Sequence, residues 1–498
     1  MRSLGILNRL AKESAIYGIS TAMGRFVHLL IAPVLTRIFS PEDYGVIALI
    51  QLAIGFATIF GGLNISSGIG YHFYKAETEK DKNHVLSGGF FVSIAIAALI
   101  SGALATYAHR VSEFFFFCEE GPILGHDLEL YLQLGALGMF FGIMQTGICS
   151  MLRFLGKPYK YVIVQLCQIF ATLIGILVSV MIFEIGLIGV FLGSTIGFFC
   201  GFFVAFIMLA KKLFKPTAKT FLVAILFYAL PQMPAAILNW GQTQIGRYCI
   251  NLYLSLREQG IYSVGFAIAS TLIVATTAFR LAYDPFALSV MKNPDAPIIY
   301  AKTYKLYVCI FGSLLSFIAA FCQPLVQVIF PESYIDAHRL IPLLATGFFY
   351  LGASNILATG IWVSGKTVFT SYAQVLAFAL LMPVNFYLVP VIGVFGSAIA
   401  FLVGNIAYNI FVHHFSQKLF PVIYSYWRTH LWAIVANLIF WGNAELSVGL
   451  SIIEKSVVGL LVACLCLLLI WKIFLNSEDH KLLKQYLKNL LIKENAAF

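Results

Sequence analysis

The chain has 498 residues, 60% of them hydrophobic and only 11% charged, whereas soluble domains carry roughly 25% charged residues. Surface-to-volume scaling leaves no water-soluble fold able to hide that much apolar surface, so lipid is the solvent and a soluble enzyme or binding module is excluded. The formal net charge of +10 then follows from basic loops facing anionic lipid head groups, and nucleic acid is not needed as a partner.

A transmembrane helix needs about 20 mostly apolar residues, and fourteen segments meet that length. The first, 15–38, follows Lys12 and Glu13; it is longer than a signal h-region and has no small-residue cleavage site. The rest run over 45–70, 85–107, 129–151, 162–183, 186–209, 221–251, 261–283, 303–329, 340–362, 370–389, 391–413, 429–444 and 450–474. Pro231 and Pro234 predict a kink in the seventh, which neighbouring helices tolerate inside a membrane.

Loop charge orients these spans, because lysine and arginine accumulate on cytoplasmic loops. Alternate loops hold Lys75, Lys80 and Lys82, then Arg153, Lys157 and Lys160, then Lys211, Lys212, Lys215 and Lys219, and the pattern continues to the tail. The opposite loops hold only Arg37, Arg110, Arg257, Arg339 and Lys455. Both termini are therefore expected in the cytoplasm. In the tail, Leu482, Leu483, Tyr486, Leu487, Leu490 and Leu491 make an apolar helical stripe beside several lysines, the pattern of a helix lying flat on an anionic leaflet.

The two halves resemble each other. Glu42-Asp43-Tyr44-Gly45-Val46 enters the second span and Glu258-Gln259-Gly260-Ile261-Tyr262 the eighth. Gly156-Lys157 follows the fourth span and Gly365-Lys366 the tenth; Ile188-Gly189-Val190-Phe191 opens the sixth and Ile392-Gly393-Val394-Phe395 the twelfth. Matches in one order, six spans apart, predict parallel repeats about an axis along the membrane normal, a transporter architecture with a cavity near the midplane. The expected organisation is a cytoplasmic segment 1–14, a first lobe 15–215, a second lobe 216–415, two further spans within 428–474, and a basic amphipathic tail 475–498. The fold class is an all-α integral membrane protein.

Charges inside hydrocarbon are costly and usually face a cavity or a partner. Arg25 lies in the first span one turn from His28; Arg247 lies in the seventh among Asn239, Gln242, Gln244 and Asn251; Arg280 lies near the cytoplasmic end of the eighth. No carboxylate falls deep in any span, Glu184 and Asp284 being at span ends. A membrane interior with only positive charge suits an anionic substrate, since guanidinium groups pair with phosphate through two hydrogen bonds. Arg25, Arg247, Arg280, His28, Gln242 and Asn251 are thus the candidate substrate-binding residues. The charged candidates and His28 have plainer readings: Arg280 snorkelling to the interface, Arg247 interfacial at the outer side, Arg25 in a structural contact with a helix end, and His28 a packed core histidine. Gln145, Gln165, Gln168, Gln374, Asn385, Asn405 and Asn409 suit sugar hydroxyls or helix-to-helix contacts equally well. Arg37, beside Glu42 and Asp43, is expected in an interfacial charged cluster shaping the outer loop.

No Gly-rich phosphate loop with its lysine is present, and no His or Cys set has metal spacing. The nine cysteines read as small hydrophobes. No catalytic constellation, cofactor or metal is expected, so the chain is not read as an enzyme.

The opening from Ser14 through Arg37 and Ser40-Pro41-Glu42-Asp43-Tyr44-Gly45, together with Arg153 to Gly156-Lys157 and Glu258 through Gly260-Ile261-Tyr262-Ser263-Val264, resembles the Wzx-type polysaccharide or O-antigen flippases. These belong to the multidrug/oligosaccharidyl-lipid/polysaccharide (MOP) exporter superfamily, with the MATE exporters and the lipid II flippases. The likeness covers roughly 10–415. It implies two lobes and fourteen spans in a bacterial inner membrane, and movement of an undecaprenyl-pyrophosphate-linked oligosaccharide to the outer leaflet by alternating access through a cationic cavity. Arg25 and Arg247 fit that cavity by position. Lipid-linked oligosaccharide and anionic lipids are the implied partners, along with a glycan polymerase or ligase. A MATE-like cation-coupled exporter is the first alternative, set back by the missing buried carboxylate. A membrane glycan polymerase or ligase is the second, set back by the short outer loops.

Overall fold

The computed structural model describes residues 31–115, 127–213, 219–447 and 449–474, and among these every regular element is helical. A helix α1 over 31–38 leads to α2 (Pro41–Gly62), α3 (Ile65–Lys75), α4 (Glu79–Thr106), α5 (Ala108–Phe115), α6 (Leu128–Phe154), α7 (Pro158–Leu177) and α8 (Leu187–Leu213). There follow α9 (Lys219–Ala229), α10 (Met233–Tyr253), α11 (Leu256–Ala269), α12 (Thr271–Val290), α13 (Ala296–Ala320) and α14 (Cys322–Ile329). The chain continues through α15 (Ala337–Leu357), α16 (Thr359–Val363), α17 (Val368–Ile392), α18 (Val394–Leu419), α19 (Tyr426–Leu446) and α20 (Ile452–Phe474).

Twelve helices among the described residues are long and apolar enough to cross a membrane, two fewer than the fourteen expected. The first expected span lies mostly outside the described residues, leaving α1. The thirteenth is α19, 21 residues long but not among the twelve; Arg428, Thr429, His430, Asn437 and Asn443 dilute its apolar character. Boundaries also move. The second span runs Pro41–Lys75 with a break where Leu63 and Asn64 take positive φ, a break unmarked by proline. The seventh kinks through a 3-10 turn at Leu230–Gln232, at the predicted proline.

Within each half the helices pair alike. α6 packs on α4 and α8, and α7 on α8; correspondingly α15 packs on α13 and α18, and α17 on α18. α19 and α20 lie against α13, α14 and α15. The seventh span bridges the halves, α9 resting on α3 and α4 while α10 rests on α17, α18 and α2.

The local devices that start and stop these helices also repeat. Ser40 caps α2 and Ser255 caps α11, each in a reciprocal capping box with the acid three residues on, Asp43 or Glu258. Such a box satisfies helix-end donors that have no intrahelical partner. After α6 and after α16 the chain closes identically: Lys157 N–H donates to Leu152 O and Gly156 N–H to Arg153 O, as Lys366 does to Ile361 and Gly365 to Trp362. This pairing needs a left-handed residue, supplied by Gly156 (φ 63) and Gly365 (φ 71). The third sequence match is offset by one turn: the positive-φ glycine equivalent to Gly393 is Gly186, not Gly189, and each accepts a bond from the glycine three residues later.

Candidate functional site

The halves meet along α2 and α11, and the contact is reciprocal. A Cβ on Gly45 would stand 2.1 Å from Leu256 O, and one on Gly260 would stand 2.0 Å from Pro41 O. The first residue of each helix thus presses its carbonyl onto a glycine of the other. Tyr334, in the turn before α15, donates its hydroxyl to Phe39 O at 3.0 Å and sets its ring edge-on to Tyr44 at 6.1 Å. Burial, with Tyr44 and the carboxylates of Asp43 and Glu42 adding to it, raises the Tyr334 hydroxyl above the ordinary phenol range. It therefore stays a proton donor across physiological pH. These contacts seal one end of the interface.

Next to the seal lies a cavity of about 1270 Å³ lined by α1, α2, α3, α4, α6, α7 and α8 from one half and α10, α11, α12, α13 and α15 from the other. Its first-half wall sets small and hydroxylic residues, Gly135, Gly138, Gly142, Ser93, Thr146, Ser194 and Thr195, among apolar ones such as Ile54, Met139, Ile143, Phe191 and Phe198. The opposite wall holds Thr243, Gln244, Ser263, Ser270 and Thr271. Several hydroxyls donate to a carbonyl of their own or a neighbouring helix, such as Ser194 to Val190 O and Thr195 to Leu134 O. Their oxygens remain able to accept.

Arg247 is the only charged side chain of this lining among the described residues. Gln244 and Arg247 are one turn apart on α10, and the guanidinium donates to Gln244 Oε1 at 3.3 Å. It lies 4.8 Å over the Phe266 ring, within the range of a cation–π contact. Among the described residues its Nε is buried without a partner, and none of them brings a carboxylate to the lining. An arginine that faces a cavity with spare donors and no counter-charge is organised to receive an anion.

The other sequence-derived candidates separate. Arg25 and His28 lie outside the described residues. Arg280 is exposed on α12, absent from the cavity lining, and near enough to Asp284 to act on it electrostatically. Gln242 and Asn251 are buried on α10 and do not line the cavity. Gln242 donates to Asn405 Oδ1 at 3.4 Å and accepts from Gln374. The residues considered for sugars behave likewise: Gln145 donates to Gln165 at 3.1 Å and Gln168 at 3.0 Å, while Asn409 donates to Ser354 Oγ at 3.0 Å. Asn385 instead donates to Leu381 O of its own helix at 3.2 Å, and none of the residues considered for sugars lines the cavity. Sequence reasoning missed Tyr44, Gln51 and Phe266. The apolar-to-polar spacing Tyr44, Ala48, Gln51, Gly55, Thr58 on α2 was the available signal. Among the described residues no group of three or more His, Cys, Asp or Glu is placed to hold a metal ion.

Residues 34–339 match the family described as polysaccharide biosynthesis protein, and the chain belongs to that family. Among solved structures it is similar to the lipid II flippase MurJ in an inward closed conformation (TM-score 0.68, 14% identity, covering 91% of this chain and 98% of that one). It is also similar to an inward-facing multidrug resistance MATE family transporter of the MOP superfamily (TM-score 0.66, 14% identity, 81% and 97%). The Vibrio cholerae MATE transporter VcmN is a further match (TM-score 0.59, 16% identity, 83% and 97%). At such identities the likeness is one of fold, and it bears out the expected all-α membrane fold class. No curated protein matches the sequence.

Proposed function

We propose that this multi-pass membrane protein is a flippase for an undecaprenyl-pyrophosphate-linked oligosaccharide, such as an O-antigen repeat unit, and breaks no bond. The observation that carries the reading is Arg247, an uncompensated cation in a cavity between two similarly built halves. The diphosphate binds there, the glycan fills the hydroxyl-lined wall, and the polyprenyl chain stays in lipid. At about 1270 Å³ the cavity exceeds the roughly 300–1,000 Å³ of drug-sized pockets, which suits several sugars. Arg25 and His28 belong to this proposal as further head-group contacts; Arg280, Gln242 and Asn251 do not.

With both termini in the cytoplasm of a bacterial inner membrane, the seal lies on the periplasmic side and the cavity loads from the inner leaflet. Opening the seal while closing the opposite end delivers the substrate outward. The lobes are 15–215 and 216–415, with 428–474 and the tail appended, and a polymerase or ligase takes the product.

The test is reconstitution in liposomes with a fluorescent lipid-linked oligosaccharide. Translocation by the wild-type chain supports the reading. Efflux of a cationic dye without oligosaccharide movement contradicts it and favours the exporter reading, which the shared MATE fold supports and the carboxylate-free lining opposes.

A further inference from the structure

We propose that Lys455, with Arg339 and His338 beside it, binds the phosphate of an anionic phospholipid at the sealed end of the molecule. The inference does not depend on what the central cavity carries.

Lys455 opens α20 and is only 7% exposed. Its ammonium has an amide for company, donating to Gln327 Oε1 of α14 at 3.2 Å, and among the described residues it forms no ion pair. The adjacent carboxylate is engaged elsewhere: Glu454 accepts from both the backbone and the hydroxyl of Ser451 at 2.8 Å. Arg339 and Lys455 both lie within electrostatic reach of His338, as does Asp336. Arg339 also forms no ion pair among the described residues, and its Nε is buried without a partner. Asp336 and Glu332, the other carboxylates of this turn, are exposed. Two of the few basic side chains expected on this side of the membrane thus converge on one corner.

The corner is built by close packing. A Cβ on Gly459 would stand 2.7 Å from Ala320 O, and Asn443 of α19 donates to that same carbonyl at 3.3 Å. Around it Val328, Ile453 and Val457 are exposed apolar side chains that suit acyl chains. A buried cation costs free energy unless an anion compensates it, and at a helix end in a bilayer the abundant anion is a lipid phosphate. The Tyr334 bond to Phe39 comes from the same α14–α15 turn, so this lipid adjoins the seal.

The test uses the purified full-length chain in mixed micelles, with native mass spectrometry and thermal melting as readouts. Wild type is expected to hold phosphatidylglycerol about fivefold more tightly than phosphatidylcholine, the worth of one lysine near an anionic surface, and to melt higher with it. Lys455→Met should lose that fivefold share of the preference, leaving only what the basic cytoplasmic loops and tail contribute, yet melt no lower in phosphatidylcholine, while Lys455→Arg keeps it. Should Lys455→Met fail to fold, Arg339→Gln must weaken the preference instead. The proposal is overturned if wild type shows no preference, if the neutral variants retain it in full, or if millimolar inorganic phosphate raises the melting temperature as much as the lipid does.

Discussion

Gly45 and Gly260 occupy equivalent places on the two sides of the seal, each beneath the carbonyl of the residue that begins the other's helix, Leu256 and Pro41 respectively. The contact is isologous, as a two-fold relation between halves requires. Backbones this close leave no room for a methyl group.

Gly260→Ala is therefore expected to push the lobes apart at this end. Overpacking costs about 1–3 kcal/mol, enough to shift a two-state population at least about fivefold. Labelling of an Ala48→Cys reporter in the cavity lining by a membrane-impermeant thiol reagent should rise accordingly above the background of the native cysteines, and Gly45→Ala should do the same. Unchanged labelling in both would remove the seal from the account.

Tyr334→Phe keeps the ring against Tyr44 but leaves Phe39 O without its donor. A buried acceptor stripped of its partner costs about 1–3 kcal/mol, so the same reporter should label more readily. The increase should be flat from pH 6 to 9, because the raised hydroxyl does not ionise there.

Gln259 has the opposite character. It is fully buried beside Gly260, and both its amide atoms lack partners among the described residues. The sealed state therefore bears a desolvation penalty that opening relieves. Gln259→Met is expected to stabilise the sealed state by about 1–2 kcal/mol, raising the melting temperature while slowing turnover. A lower melting temperature would show that the amide is satisfied.

The equivalent caps predict equal sensitivities. Ser40→Ala and Ser255→Ala should each cost about 1 kcal/mol, and Asp at either position should restore it. Thermal melting in one detergent checks both; a loss at only one site would break the equivalence of α2 and α11.

Much of this was legible because it is written in local chemistry. The glycine-lysine pairs, legible as a repeat match, fall on the two closing turns, Pro231 forecast the break in the seventh span, and the absence of buried carboxylates made Arg247 conspicuous. What was not legible depends on helix rotation. Gln242 and Arg247 share α10, yet one bonds Asn405 inside a lobe and the other faces the cavity; a five-residue separation puts them on different faces, and only packing shows which is inward. Phe266 reads as an ordinary core aromatic until Arg247 is seen above it. The break at Leu63–Asn64 carries no proline, so composition gave no warning.

The central claim is that Arg247 receives the anionic head group, and the most direct measurement is oligosaccharide translocation by Arg247→Ala and Arg247→Lys in liposomes at matched protein density. Losing a charge-assisted contact worth about 1.5–3 kcal/mol predicts a drop of at least tenfold for alanine, with partial recovery for lysine and unaltered melting. Wild-type rates in the alanine variant would contradict the account.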